Sequence, residues 1–307
     1  MARSARLQHL QWRLEAAGYD LIAAILRVLP IDAVSAAGGA LGKLVGPLTT
    51  THRTVLRNLR LAFPDWDEAR LRQMARAQWE NVGRVMFEFF ITDRILADPS
   101  RIEIVGLERL DPIIASGKPA VFVSGHLANW ELLAATRQLG GIEAVFAYRG
   151  VNNPYIDARM LESRRRLGVN LFAPKGVTGG RTMMAALAGG VSVGILGDQK
   201  YYEGVMAPFF GHDVHTQHAP VRFAMRFGAR LQPAWVERTG KGARFRLVLA
   251  EPIPLPAEGG AQADVEEGVR RINAFIEARA SARPWEYWWV HRRFPDKVYA
   301  ELAAKGF

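Results

Sequence analysis

Residues 120–141, AVFVSGHLANWELLAATRQLGG, put a histidine, His126, directly after an apolar run, with a carboxylate, Glu131, five positions later. An imidazole with one nitrogen held by a carboxylate is fixed in its tautomer and made more basic, and its other nitrogen can take a proton. On a continuous helix five positions turn through about 140°, which would put the two side chains on different faces. They meet only if His126 sits in the turn ahead of regular helix and Glu131 in its first turns. The sequence suits that arrangement. Residues 121–123 are strand-like, Ser124-Gly125 turns, and a helix starts within 126–129 and runs to about 139, where Gly140-Gly141 stops it. Such a pair is a general base, and it needs no serine or cysteine nucleophile when the substrate brings its own hydroxyl. Gly125 lets a substrate approach the backbone, and N–H groups at the helix start are expected to steady an oxyanion. The same spacing also describes an ordinary loop histidine near a helix end, so the pattern alone leaves both readings open.

Other candidates sit at the ends of apolar runs. Asp198 closes the run 191–196 and is followed by Gln199 and Lys200. An acid at a strand end of a parallel sheet faces the ligand crevice, where it would hold an arginine or receive a sugar hydroxyl; a structural ion pair is the alternative. Arg149 follows the run 144–148, and its forked guanidinium suits a phosphate. Arg164, Arg165 and Arg166 spread around a helix, so at most two face a site together, and a solvated face is the default. Phe209-Phe210-Gly211 is either core or the wall of a channel. In GHDVHTQH (211–218) two nitrogens and a carboxylate resemble a metal set, but the spacing fits no zinc pattern; the segment is read as a surface loop and no metal is assigned.

The elements that must carry these residues change character along the chain. Residues 7 to about 96 read as helical, broken at Pro30, Gly38-Gly39, Pro47 and Pro64, with a helix start at 65–68. From about 101, short apolar runs (120–123, 144–147, 191–196, 231–236, 245–249) alternate with helical stretches ending in glycine. That alternation predicts an α/β fold with a largely parallel central sheet flanked by helices. The last run can also pair antiparallel with its predecessor across Thr239-Gly240-Lys241-Gly242. A helix over 264–280 and an aromatic, basic tail (Trp285, Trp288, Trp289, His291, Arg292, Arg293) follow. The expected organisation is a helical N-terminal region, 1–100, and an α/β domain, 101–307.

Composition narrows the partners. The 307 residues include no cysteine, which excludes disulfides and thiolate metal sites. The net charge of +10 favours an anionic partner: nucleic acid, a phospholipid surface, or an acidic protein or substrate. Residues 1–60 hold eight basic against three acidic residues, half of that net charge. No run there reaches the ~20 apolar residues a bilayer span requires. Leu7, Leu10, Leu14, Ala17, Leu21, Ile25 and Val28 recur near helical spacing, which fits a basic amphipathic helix on a membrane surface, or else a packing helix with arginines in water.

GHLANWEL after an apolar strand resembles the His-x4-Asp/Glu block of the glycerolipid acyltransferase superfamily. AYRGVNNPYID (147–157), SRRRLG (163–168), GILGDQK (194–200), APFFG with Thr216 (207–216), WWVHRRFP (288–295) and RNLRLAFPD (57–65) resemble, more narrowly, the late acyltransferases of lipid A biosynthesis. The resemblance covers about residues 53 to 297; Gly150 stands where that family commonly has proline. It implies transfer of a fatty acyl chain from acyl carrier protein, or coenzyme A, to a hydroxyl of a phosphorylated glycolipid acceptor. His126 would be the base, oriented by Glu131, with no acyl-enzyme and no cofactor. Arg149, Asn153, Arg166, Asp198, Gln199 and Arg292 would contact substrate. The location implied is the cytoplasmic face of the bacterial inner membrane, with no nucleic-acid role. A glycerolipid, ornithine lipid or mannosylated lipid acceptor remains an alternative, and a non-catalytic binding protein a remote one.

Overall fold

Pro30 and Pro64 punctuate the N-terminal helices, as a residue with no N–H and a fixed φ must. The computed structural model describes residues 2–135, 141–148, 150–167, 169, 172–174, 176–256 and 262–307. Helix α1 (Ala2–Val28) ends before Pro30 and α2 (Ile31–Val45) begins after it. Helix α3 (Thr51–Ala62) ends before Pro64, and α4 (Glu68–Glu88) starts behind Asp67, whose carboxylate accepts from the Arg70 N–H at 2.7 Å. The short α5 (Thr92–Leu96) follows. The break expected at Gly38-Gly39 is absent. Helix α2 runs through both glycines because they are where it meets α4: a Cβ on Gly38 would lie 2.4 Å from the Gly83 carbonyl oxygen, and one on Gly83 2.1 Å from that of Gly38. Two backbones this close exclude any side chain, which outweighs the roughly 1 kcal/mol a mid-helix glycine costs.

The remaining elements are β1 (Ile102–Val105), α6 (Asp111–Ser116), β2 (Ala120–Ser124), β3 (Ala144–Tyr148), α7 (Pro154–Arg166), β4 (Phe172–Pro174), α8 (Val177–Ala188), β5 (Ser192–Leu196), β6 (Val205–Phe209), β7 (His212–Thr216), α9 (Ala219–Phe227), β8 (Arg230–Arg238), β9 (Phe245–Leu249), α10 (Gln262–Ala282) and α11 (Asp296–Ala304). Seven strands form one sheet in the order β1-β9-β8-β2-β5-β3-β4. Every pairing in it is parallel except β8 with β9, which are antiparallel across the 239–242 turn. The fold is therefore α/β with a mostly parallel sheet. The 211–218 segment, read above as a surface loop, instead contains β7, which pairs antiparallel with β6 around a turn at Phe210-Gly211. Val205, Ala207 and Phe209 are buried in alternation along β6, so this hairpin rests on the core.

Helices cover both faces of the sheet. Val121, Val123, Val193 and Ile195 on one face belong to a core that also takes in Leu59, Leu71 and Trp79 from α3 and α4. Ala120, Phe122 and Ala234 pack on the other against Val34, Ile91, Ile95 and Leu132. The N-terminal helices thus contribute to the cores on both faces. In place of the expected helix from 126–129 to about 139, Trp130–Ala135 forms a 3-10 helix; residues 136–140 lie outside those described.

Candidate active site

Strands β2 and β5 are paired in register, Ser124 opposite Leu196, and the Gly197 N–H still donates to the Ser124 carbonyl at 2.8 Å. Two residues past each partner of that pair stand His126 and Asp198. The register alone therefore makes neighbours of two residues 72 apart in sequence. Asp198 accepts from the His126 backbone N–H at 2.8 Å through Oδ2, and its Oδ1 lies 2.7 Å from the ring Nδ1. The approach is close enough that a Cβ on Gly125 would lie 3.1 Å from Ile276 and 3.4 Å from the Asp198 carboxylate. Burial would push the Asp198 carboxyl up; the charge of His126, the hydrogen bonds from its ring and backbone, and the nearby Arg293 guanidinium bring it down to about 2. An ionised carboxylate on Nδ1 takes its proton as a hydrogen bond and leaves the lone pair on Nε2, the tautomer of a general base.

The carboxylate held against His126 is thus Asp198, where the sequence reading put Glu131. Glu131 instead grips Arg164 in forked geometry, at 3.0 and 2.7 Å, and both are largely buried. The reason is local. The chain leaves β2 through a turn and a 3-10 helix, and Glu131, at the front of that helix, meets α7. The Arg164 guanidinium lies 5.0 Å from the Tyr148 ring and 5.5 Å from that of Phe89.

Residues 126–129 are clamped from two sides. Leu127 bridges Tyr287, the Ala128 N–H donates to the Glu286 carbonyl at 2.9 Å, and the Trp288 N–H donates to the His126 carbonyl at 3.0 Å. The aromatic tail therefore docks on the segment that carries His126. Ala128 has φ 44°, a left-handed conformation that costs a non-glycine residue on the order of 1–3 kcal/mol and persists only where surroundings impose it. The second clamp is Glu88, fully buried: it accepts from Asn129 at 3.0 Å, from Ser35 at 2.6 Å, and from both Arg238 nitrogens at 2.7 and 2.9 Å. Nothing local marked Glu88 or Arg238, because their pairing spans 150 residues.

A cavity of about 480 Å³ opens beside His126, Gln199 and Lys200 at the C-terminal edge of the sheet. Side chains alternate along strands, and the cavity straddles that edge. Phe122, Gly194, Phe146 and Ala234 lie on one face, and Val123, Ile195 and Met183 on the other. Phe122 and Phe146 are both register partners of Gly194, so two phenylalanines flank a position with no side chain. The Phe146 ring leans over it, within 2.6 Å of where a Cβ would be. Glu131 and Arg164 line the wall.

The other sequence candidates divide. Gln199 is at the site, its amide nitrogen 3.4 Å from His126 Nε2 and 3.2 Å from His291 Nε2. Asn153 is absent from the cavity lining; it caps α7, accepting from the Tyr155 and Ile156 N–H groups, and donates to the Trp12 carbonyl and to Glu15. Arg166 is exposed and paired with Glu162 at 3.5 Å, while Arg164, one helical face away, turns inward. Arg292 is exposed and paired with Asp296 at 3.1 Å; its neighbour Arg293 is buried, donating to Thr216 Oγ1 at 2.7 Å and Asn273 at 3.1 Å. Arg149 lies outside the described residues. Three backbone donors ahead of the 3-10 helix are taken: the N–H groups of His126, Leu127 and Ala128 donate to Asp198, Gly125 and Glu286.

Residues 1–296 match the model of the family described as bacterial lipid A biosynthesis acyltransferase. The chain is 29% identical over 278 residues to the lipid A biosynthesis lauroyltransferase of Escherichia coli (strain K12), covering 88% of this chain and 87% of that protein. It is 24% identical over 283 residues to the lipid A biosynthesis palmitoleoyltransferase of the same strain, covering 89% and 88%. With the myristoyltransferase it shares 24% over 268 residues, covering 85% and 81%.

Proposed function

Because the chain belongs to the bacterial lipid A biosynthesis acyltransferases, we propose that it moves a fatty acyl group from an acyl carrier protein or coenzyme A thioester directly to a hydroxyl of a phosphorylated lipid A precursor. The observation that carries this reading is His126, its Nδ1 held by the buried Asp198 at 2.7 Å, on the wall of a largely apolar cavity of about 480 Å³. The acceptor hydroxyl gives its proton to Nε2 as its oxygen bonds to the thioester carbon. The carbonyl electrons move to oxygen, then return as the carbon–sulfur bond breaks, and the departing thiolate takes the proton back from the imidazolium. Asp198 stabilises that imidazolium. Serine, cysteine and an acyl-enzyme have no part in it.

The donor chain occupies the limb floored by Phe122, Gly194 and Phe146. Arg164, fixed by Glu131, supplies the cation that meets the anionic part of a substrate. The apolar stripe of α1, with Leu7, Leu10, Leu14, Leu21, Ile25 and Val28 exposed, lies on the cytoplasmic leaflet of the inner membrane. Among the described residues no helix is long and apolar enough to cross a membrane. The net charge of +10 suits an anionic leaflet, an acidic carrier protein and a phosphorylated acceptor alike.

The test is transfer from radiolabelled C12–C16 acyl carrier protein to a tetra-acylated lipid A precursor in detergent micelles. Wild type is expected to transfer and His126→Ala to lose transfer. A folded wild type inactive on these substrates sinks the lipid A reading, and transfer that survives His126→Ala sinks the mechanism.

A further inference from the structure

Attack on a thioester places a negative charge on the former carbonyl oxygen, and some donor must meet it. The backbone N–H groups of residues 126–128 are occupied by Asp198, Gly125 and Glu286. Of the side-chain donors on the cavity wall, Arg164 is held by Glu131, and Lys200 is turned to Asp296 at 3.1 Å and lies over the Tyr202 ring. Gln199 stands beside the base, its amide nitrogen 3.4 Å from His126 Nε2.

Asp198 at Nδ1 selects, for the neutral imidazole that a general base requires, the tautomer with its lone pair on Nε2. With Nδ1 donating to that carboxylate, Nε2 of His126 is an acceptor, so the amide presents an N–H to it. The second N–H of the same group points to His291 Nε2 at 3.2 Å. Gln199 therefore caps the basic nitrogen. A substrate hydroxyl arriving at Nε2 must displace that N–H, which then stands beside the carbon under attack. The anchoring is short, since Gln199 directly follows Asp198, the residue that fixes the base.

We propose that Gln199 is a catalytic residue, the oxyanion donor of the acyl transfer, and that His291 positions its amide. The proposal rests on the acyltransferase reading above. A neutral donor suits the position: a lysine or arginine beside Nε2 would oppose formation of the imidazolium, whereas an amide polarises the carbonyl without that penalty. As the hydroxyl oxygen bonds to the thioester carbon and its proton goes to Nε2, the freed N–H donates to the developing alkoxide. It lets go when the thiolate departs with the proton from His126.

The experiment is steady-state transfer by wild type, Gln199→Ala, Gln199→Glu and His291→Ala, with folding checked by circular dichroism and thermal midpoint. Loss of one oxyanion donor lowers kcat by about 10²–10³-fold, and KM should change little. Gln199→Glu preserves the shape, cannot donate when ionised, and should be at least as slow. His291→Ala should fall between. A dithioester donor, whose sulfur accepts hydrogen bonds poorly, should slow the wild type and leave Gln199→Ala nearly unaffected. A kcat for Gln199→Ala within threefold of wild type overturns the assignment, as does a loss confined to KM or equal sensitivity of both enzymes to the dithioester. Absence of transfer by wild type would refute the acyltransferase reading itself, a separate outcome.

Discussion

Asp198→Asn tests the orientation of the base most directly, because the two contacts of Asp198 dictate what an amide there must do. Asp198 accepts twice, from the His126 backbone N–H at 2.8 Å and from ring Nδ1 at 2.7 Å. An amide has one oxygen, and the backbone N–H can only donate, so the oxygen must face the backbone and the NH2 must face Nδ1. The imidazole is then held with its proton on Nε2 and has no lone pair for the acceptor hydroxyl. The analogous change in a histidine–carboxylate pair lowers kcat by about 10⁴-fold with geometry intact, and that loss is expected here in the acyl-transfer assay. Glu131→Gln is the contrast. It weakens the grip on Arg164 without touching the tautomer, and a lost charged hydrogen bond of roughly 1.5–3 kcal/mol predicts a ten- to hundredfold fall in kcat/KM, expressed mainly in the acceptor KM. Activity of Asp198→Asn within tenfold of wild type, or the two losses reversed, would refute the reasoning. The same carboxylate leaves a mark on stability. Its folded-state pKa of about 2 lies below the unfolded value, so its contribution is fully present above about pH 4 and is lost as the pH falls through about 2. A shift of that size is worth about 2 kcal/mol, and urea midpoints between pH 5 and 2 should fall more steeply in wild type than in Asp198→Asn.

Phe146→Ala should open the cavity floor beside Gly194, and each added donor methylene that fits gains about 0.8 kcal/mol, roughly fourfold; rates across C10–C18 donors should shift to longer chains, whereas a shift from enlarging the opposite limb at Met183 alone would place the chain on the other face. Glu88→Ala leaves the buried Arg238 guanidinium unpaired and should destabilise the fold by about 3–5 kcal/mol in denaturant titration. Leu14→Glu, on the exposed stripe of α1, should reduce flotation with vesicles containing anionic lipid while leaving the circular dichroism unchanged. Full flotation of that variant would remove the stripe from the membrane contact.

Local pattern revealed what local physics controls. The apolar runs 120–123 and 191–196 are strands because residues buried on both faces of a parallel sheet need no alternation, and the histidine at the strand mouth is where the pattern put it. The carboxylate was legible as a residue and illegible as a partner. Glu131 is near His126 in sequence, but Asp198 is near it in the sheet, and only the β2–β5 register reveals that. Gly38-Gly39 misled for the same reason, since a glycine pair reads as a helix stop until α4 is seen against it. The β6–β7 hairpin carried a readable signal in Val205, Ala207 and Phe209, masked by Pro208 between them. The position of Arg164 depended on the rotation of α7, which a run of three arginines does not reveal.

The pairing of residues 126–128 with 286–288 also bears on when this enzyme comes into being. A ribosome that has made residue 200 has already produced His126, Asp198 and Gln199, yet the segment that holds Leu127 and Ala128 in place does not exist. Likewise β1 waits for β9, about 140 residues later, to be covered. The candidate site is therefore completed late in synthesis. A nascent chain arrested near residue 280 would carry His126, Asp198 and Gln199 without the segment that pairs with residues 126–128, and is expected to be inactive in acyl transfer.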